Sequence, residues 1–133
     1  MILADTSVWI DYFKGVDSKH TNILDNCIQN EIVIIADLIM IEILQGIPLA
    51  QNKIYDDFKQ ELEKFECYSL LEKNITLQTI YNYRYLRSNG ITIRKTIDVI
   101  IGTLCIENKF EIIHNDRDFD PMEELIGLKV RHK

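Results

Sequence analysis

Apolar residues along the chain fall into two alternating rhythms. Residues 2–4 and 32–36 are short continuous apolar runs, the latter β-branched at nearly every position, and read as strands covered on both faces. Residues 110–114 form a third such run and 128–130 a closing one, with 67–71 a weaker strand candidate. Between the runs the period lengthens to that of helices. Asp5-Thr6-Ser7 supplies cap residues for a helix over 8–13 that ends near Gly15. A helix over 18–30 places Ile23, Leu24, Cys27 and Ile28 on one stripe. Asp37 reads as the cap of a helix over 38–45, closed by Gly46 and Pro48. The stretch 51–65 sets Ile54, Phe58, Leu62 and Phe65 on one face and its charges on the other. Residues 75–88 continue the pattern to Asn89-Gly90, Thr96 caps a long helix to about 108, and 121–125 form one more helical turn.

Strands that alternate with helices predict an α/β fold with a central, mostly parallel sheet wrapped in helices. At 133 residues this is one domain spanning 1–133, long enough to bury roughly two-thirds of its unfolded surface. Ligands in such sheets bind beyond the carboxyl ends of the strands. Asp5 follows the first strand, Asp37 the second, and Asp116 the strand over 110–114. Asp5 and Asp116 are therefore expected at the same edge.

Charge narrows the function classes. Fifteen Lys and Arg against 21 Asp and Glu leave a net charge of -6. That argues against nucleic-acid binding by bulk electrostatics, but not against an enzyme that meets phosphates through a bound cation. Cys27, Cys67 and Cys105 are odd in number and widely spaced, so zinc-type spacing and a disulfide framework are unsupported, and buried free thiols are expected. The longest apolar stretch, 32–44, is interrupted by Asp37 and Glu42 and is too short to span a membrane. With no basic leader after Met1, the expectation is a soluble cytoplasmic domain without a membrane partner.

The anomaly is a set of acids in apolar surroundings. Glu42 lies inside Leu38-Ile39-Met40-Ile41-Glu42-Ile43-Leu44, and Asp98 inside Ile97-Asp98-Val99-Ile100-Ile101. Asp5 sits between Leu3-Ala4 and Val8-Trp9-Ile10, and Asp116 closely follows Ile112-Ile113. An isolated carboxylate in a partly buried setting costs several kcal/mol unless paired or ligated. Singly, Asp5 and Asp98 are explicable as helix caps, Asp116 as a turn opener and Glu42 as half of an ion pair. Together they favour convergence on one pocket. Oxygen ligands without His or Cys select hard cations, Mg²⁺ with Mn²⁺ as substitute, and such sites serve phosphoryl-transfer chemistry. No GxSxG elbow, P-loop or GxGxxG is present. Asp5-Thr6-Ser7 also lacks the second Asp of aspartyl-phosphate phosphatases. His20 and His132 lie in polar segments, and His114, near the expected pocket, is assigned to packing.

These residues resemble a PIN domain, and specifically the VapC-type ribonuclease toxins of prokaryotic toxin–antitoxin pairs. The opening Ile2-Leu3-Ala4-Asp5-Thr6-Ser7-Val8-Trp9-Ile10-Asp11-Tyr12-Phe13 is similar to the family's first acidic motif, and Ile41-Glu42-Ile43-Leu44-Gln45-Gly46 to its second. The third and fourth correspond to Gly90-Ile91-Thr92-Ile93-Arg94-Lys95-Thr96-Ile97-Asp98 and Ile113-His114-Asn115-Asp116-Arg117-Asp118-Phe119-Asp120. All stand in family order over nearly the whole chain. One departure is Gly102-Thr103-Leu104-Cys105, where the family usually has alanines after the third acid.

The resemblance implies a three-layer α/β/α sandwich and a metal-dependent endoribonuclease. Asp5, Glu42, Asp98 and Asp116 would be its catalytic acids, with Asp5, Asp98 and Asp116 as ligands of one or two Mg²⁺ ions. Thr6 and Asn115 would orient Asp5 and line the pocket, and Asp118 is either an extra acid or a turn residue. Water activated by the cation would attack the phosphate in line, with the 3′ oxygen leaving. Arg84, Arg87, Arg94 and Lys95, interleaved with Tyr81, Tyr83 and Tyr85, are the expected RNA contacts. The resemblance further implies a homodimer and a VapB-type antitoxin that covers the pocket with a cationic side chain, operator DNA being bound through that complex. The competing readings are a non-catalytic PIN-like binding module and a metal-dependent small-molecule phosphatase.

Overall fold

The computed structural model describes residues 1–133. Its strands are β1 (Ile2–Ala4), β2 (Val33–Ala36), β3 (Glu66–Tyr68), β4 (Glu111–Ile113) and β5 (Lys129–Val130). They form one all-parallel sheet in the order β3-β2-β1-β4-β5. Continuous apolar composition is required of β1 and β2, because every residue in them is buried. Helices α1 (Thr6–Phe13), α2 (Lys19–Asn30), α3 (Asp37–Gln45) and α4 (Asn52–Leu62) pack successively, α1 on α2 and α3, and α3 on α4. Helices α5 (Lys73–Ser88), α6 (Thr96–Asn108) and α7 (Asp120–Ile126) pack on one another after the chain has reversed direction across the sheet. Right-handed crossovers place the two groups on opposite faces, giving the expected sandwich.

The strand order carries the functional consequence. The chain moves outward from β1 through β2 to β3, then returns to β4 on the other side of β1. The crevice outside the carboxyl ends of β1 and β4 is therefore the switch point of the sheet. Register is tight there: Ala4 pairs with Ile113, and the Asp5 N–H donates to the Ile113 carbonyl at 2.9 Å.

Several boundaries differ from the sequence pattern for identifiable reasons. The third strand lies at Glu66–Tyr68 rather than 67–71, because the Asp37 carboxylate captures the Leu70 N–H at 3.2 Å and draws the chain off the sheet edge. Asp37 is thus the first residue of α3 and a loop anchor, not a cap outside it. Ile54 is 41% exposed, and the apolar face of α4 is completed only by Leu62 and the half-buried Phe58. Cys67 is exposed on the edge strand, against the expectation of burial, whereas Cys27 and Cys105 are buried. Ser18 caps α2 with a reciprocal capping box to Thr21.

The Gly102-Thr103-Leu104-Cys105 departure is a packing feature. A Cβ on Gly102 would stand 2.6 Å from the Met122 Sδ, so the missing side chain lets α6 approach α7 closely. Thr103 accepts a hydrogen bond from Asn82 Nδ2 at 3.0 Å and donates to the Val99 carbonyl at 2.7 Å, joining α5 to α6 through a buried polar pair.

Candidate active site

Each of the four acids reaches the switch point from a different segment. Asp5 leaves β1 in an extended conformation (φ -68, ψ 161), and its side chain does not cap α1. Asp98 lies in the first turn of α6, whose N-terminus has no side-chain cap. Asp116 follows β4 and opens a 3₁₀ turn over Arg117–Phe119 by accepting the Asp118 N–H at 2.9 Å. Glu42, midway along α3, has no cationic partner within 4.0 Å and instead accepts a hydrogen bond from Thr6 Oγ1 at 2.7 Å. The simple ion-pair explanation for Glu42 therefore fails.

Asp5, Glu42, Asp98 and Asp116 line a single cavity of about 240 Å³, with Thr6, Ser7, Ile10, Lys95 and Asn115. Carboxylate oxygens of Asp98, Asp116 and Asp118 approach within 4.8 Å of one another. Asp118 is thus both the turn residue and a member of the acidic cluster. The sequence does not distinguish the two roles, because an Asp two residues after another Asp and before a buried Phe looks the same in either. Thr6 lines the cavity and meets Asp5 through its backbone N–H, while its hydroxyl holds Glu42.

The expected RNA contacts separate into groups. Lys95 lines the acidic cavity itself, whereas Arg94 pairs with Asp118 through Nε at 3.3 Å on the open side. Arg84 and Arg87 line a neighbouring groove with Tyr83 and Thr96. Tyr81 and Tyr85 stack on each other, with ring centroids 6.2 Å apart and both rings exposed, and do not line that groove. His114 packs against Phe119 in a tilted pair with ring centroids 4.9 Å apart, its Nδ1 accepts the Asp116 N–H at 3.2 Å, and burial lowers its pKa. Its part is to hold the Asp116 turn.

The sequence model of the PIN domain matches residues 2–125. The chain belongs to the PIN domain family. Among its relatives are the VapC ribonuclease Mb1587 of Mycobacterium bovis and the ribonuclease VapC11 of Mycobacterium tuberculosis. Each is 29% identical over 98% of this chain and 97% of its own length. A crystal structure of VapBC2 from Rickettsia felis, bound to a DNA fragment from its promoter, superimposes with a TM-score of 0.79. That likeness covers 98% of each chain at 15% identity and concerns the fold. No helix of this PIN domain is long and apolar enough to cross a membrane.

The electrostatics of this PIN domain's cavity suit a divalent cation. Burial, with the Glu42 and Asp116 charges adding to it, pushes Asp5 up to about 6 against the pull of the Thr6 N–H. Asp98 rises to about 7, first through burial and then through Asp5 and Asp116. Its Oδ2 is buried without any hydrogen-bond partner. A buried, unpartnered carboxylate oxygen facing other acids is costly as it stands and is relieved by a hard cation. The all-oxygen donor set fits Mg²⁺ or Mn²⁺ and offers nothing to softer metals.

Proposed function

We propose that this PIN domain is a divalent-cation-dependent endoribonuclease, the toxin component of a toxin–antitoxin pair. The observation that carries the reading is the convergence of Asp5, Glu42, Asp98 and Asp116 on one cavity at the switch point, with Lys95 as the cation among its lining residues. Structural acids would be spread over the molecule, each beside its own Lys or Arg.

In this reading Asp5, Asp98 and Asp116 hold the cation, with Asp118 adding a fourth oxygen donor at the open side. The bound ion supplies Lewis acidity, which lowers the pKa of water and offsets charge on the phosphoryl oxygens. Glu42, fixed by Thr6 through one oxygen, keeps its other oxygen for a proton released by the attacking water. Lys95 meets the scissile phosphate at the rim, and the Asn115 amide supplies a further donor. The leaving group is the 3′ oxygen, so the products carry a 5′-phosphate and a 3′-hydroxyl. No side chain in the cavity is needed as a covalent nucleophile.

The partners proposed are RNA as substrate, in keeping with relatives named ribonucleases, a VapB-type antitoxin through which operator DNA is bound, in keeping with the VapBC2–DNA structure, and a second copy of the chain, which the family resemblance implies. A cationic antitoxin side chain entering the acidic cavity would occupy the cation's place.

Incubation of total RNA with the purified chain tests the activity. Cleavage is expected with Mg²⁺ or Mn²⁺, none with EDTA, and a loss of at least about 100-fold in Asp98→Asn. Metal-independent cleavage, or full activity in that variant, would reject the reading. Turnover of phosphate monoesters without RNA cleavage would favour a small-molecule phosphatase instead.

A further inference from the structure

The acidic cavity has a cationic neighbour. Thr79, Ile80, Tyr83, Arg84, Arg87 and Thr96 line a groove of about 400 Å³ between α5 and the start of α6. Lys95 faces the acidic cavity and the next residue, Thr96, faces this groove, so the two spaces adjoin across one peptide bond. Neither Arg84 nor Arg87 has a carboxylate within 4.0 Å, although acids outnumber bases in the chain. Two unneutralised guanidinium groups on one side of a helix repel each other and gain from an anion between them. Thr96, the first residue of α6, opens onto the groove, and that helix start has no side-chain cap. Thr79 is only 7% exposed, and its hydroxyl has no partner.

Tyr83 ties the two spaces together. Arg87 lies over its ring, with the guanidinium carbon 5.1 Å from the centroid, so the ring sets where that cation stands. The Tyr83 hydroxyl donates to the Ile93 carbonyl at 3.2 Å and so anchors the segment that delivers Lys95 to the acids. One side chain thereby fixes a groove cation and the strap that carries the cavity cation.

We propose that this groove is a phosphate-binding subsite for the single-stranded RNA flanking the scissile bond, with Arg84 and Arg87 as its cations and Tyr83 as their positioning residue. The inference rests on the nuclease reading and extends it from the point of cleavage to the path of the strand. Arginines contact successive phosphates while the acids act on the phosphate beyond Lys95, a division that suits unpaired RNA tracked along its backbone.

Steady-state kinetics test it, with two substrates containing a cleavage site mapped in total RNA: a single-stranded oligonucleotide of about ten nucleotides and the dinucleotide at its centre. Arg84→Ala/Arg87→Ala should raise KM for the long substrate about 10-fold, leave kcat within about 2-fold, and reduce the salt slope of log(kcat/KM) by about 1.4, two phosphate contacts' worth. The dinucleotide should show no difference, and Arg84→Lys/Arg87→Lys should recover part of the KM. Tyr83→Phe, which keeps the ring and loses the bond to Ile93, should raise KM about 2- to 10-fold. Thermal melts and Mn²⁺ affinity of the arginine variants should match the wild type. Unchanged KM and salt slope, or equal losses on both substrates, would overturn the subsite while leaving the nuclease reading intact. A wild-type chain that cleaves no RNA with either cation would overturn the nuclease reading and the subsite with it.

Discussion

At the scale of single residues, the informative side chains are those whose chemistry disagrees with their surroundings. Glu42 and Asp98 are legible in the sequence because each interrupts an apolar helix. The identity of their partners is not, because Thr6 and Glu42 are 36 positions apart and meet only through the fold. Thr6→Val removes the one hydrogen bond that orients Glu42; kcat should fall about 10- to 100-fold, and Thr6→Ser should restore most of it. Steady-state RNA cleavage by the two variants checks this, and equal activity in both would remove Thr6 from the mechanism. Asp5 and Asp98 also make a thermodynamic prediction. Unfolded, both titrate near the ordinary aspartate value of 3.8; folded, Asp5 is pushed up to about 6 and Asp98 to about 7, burial being the largest cause in each. The cation-free fold therefore binds these protons more tightly than the unfolded chain. That advantage is full below about pH 4 and is lost as pH rises through 6 and 7. The Tm of cation-free protein should fall between about pH 5 and about pH 8, Asp98→Asn should flatten the fall, and Mg²⁺ should reverse it at the alkaline end. A flat profile in the wild type would contradict the burial of these acids as charged groups.

At the scale of elements, apolar runs and helical stripes are enough to locate the buried strands β1, β2 and β4 and the helices between them. What they miss is decided by tertiary contacts. β3 is a short edge strand with two of its three residues exposed, so it has little apolar signature, and its end is set by the remote Asp37 carboxylate. The start of α5 at Lys73, ahead of the first buried residue Ile75, is likewise invisible to a pattern keyed on apolar positions. The α5–α6 contact depends on Asn82 and Thr103, two polar residues that composition alone would place outside. Asn82→Ala should destabilise the fold by about 1–3 kcal/mol, since the Asn82–Thr103 bond is buried and has no solvent substitute. Urea denaturation measures this, and a midpoint unchanged from wild type would show the pair to be dispensable.

At the scale of the whole molecule, placement decides the chemistry. The reversal of strand order between β1 and β4 creates a crevice, and the acids of four distant segments open into it. The sequence pattern anticipates that Asp5 and Asp116 share an edge, since each follows a parallel strand. That Asp118 joins Asp98 and Asp116 and that the arginines divide between two spaces depend on turn geometry and helix rotation, which no linear pattern encodes. The net charge of -6 is then no obstacle to an RNA substrate, because unpaired cations adjoin the crevice while the excess acid lies partly within it. Diffraction from crystals soaked in Mn²⁺, with data collected at the manganese absorption edge, is the most direct measurement of this arrangement. The account predicts an anomalous peak in the cavity, about 2.1 Å from carboxylate oxygens of Asp98 and Asp116, that disappears in Asp98→Asn. A cavity without manganese at saturating concentration, or a peak unaffected by that substitution, would contradict it.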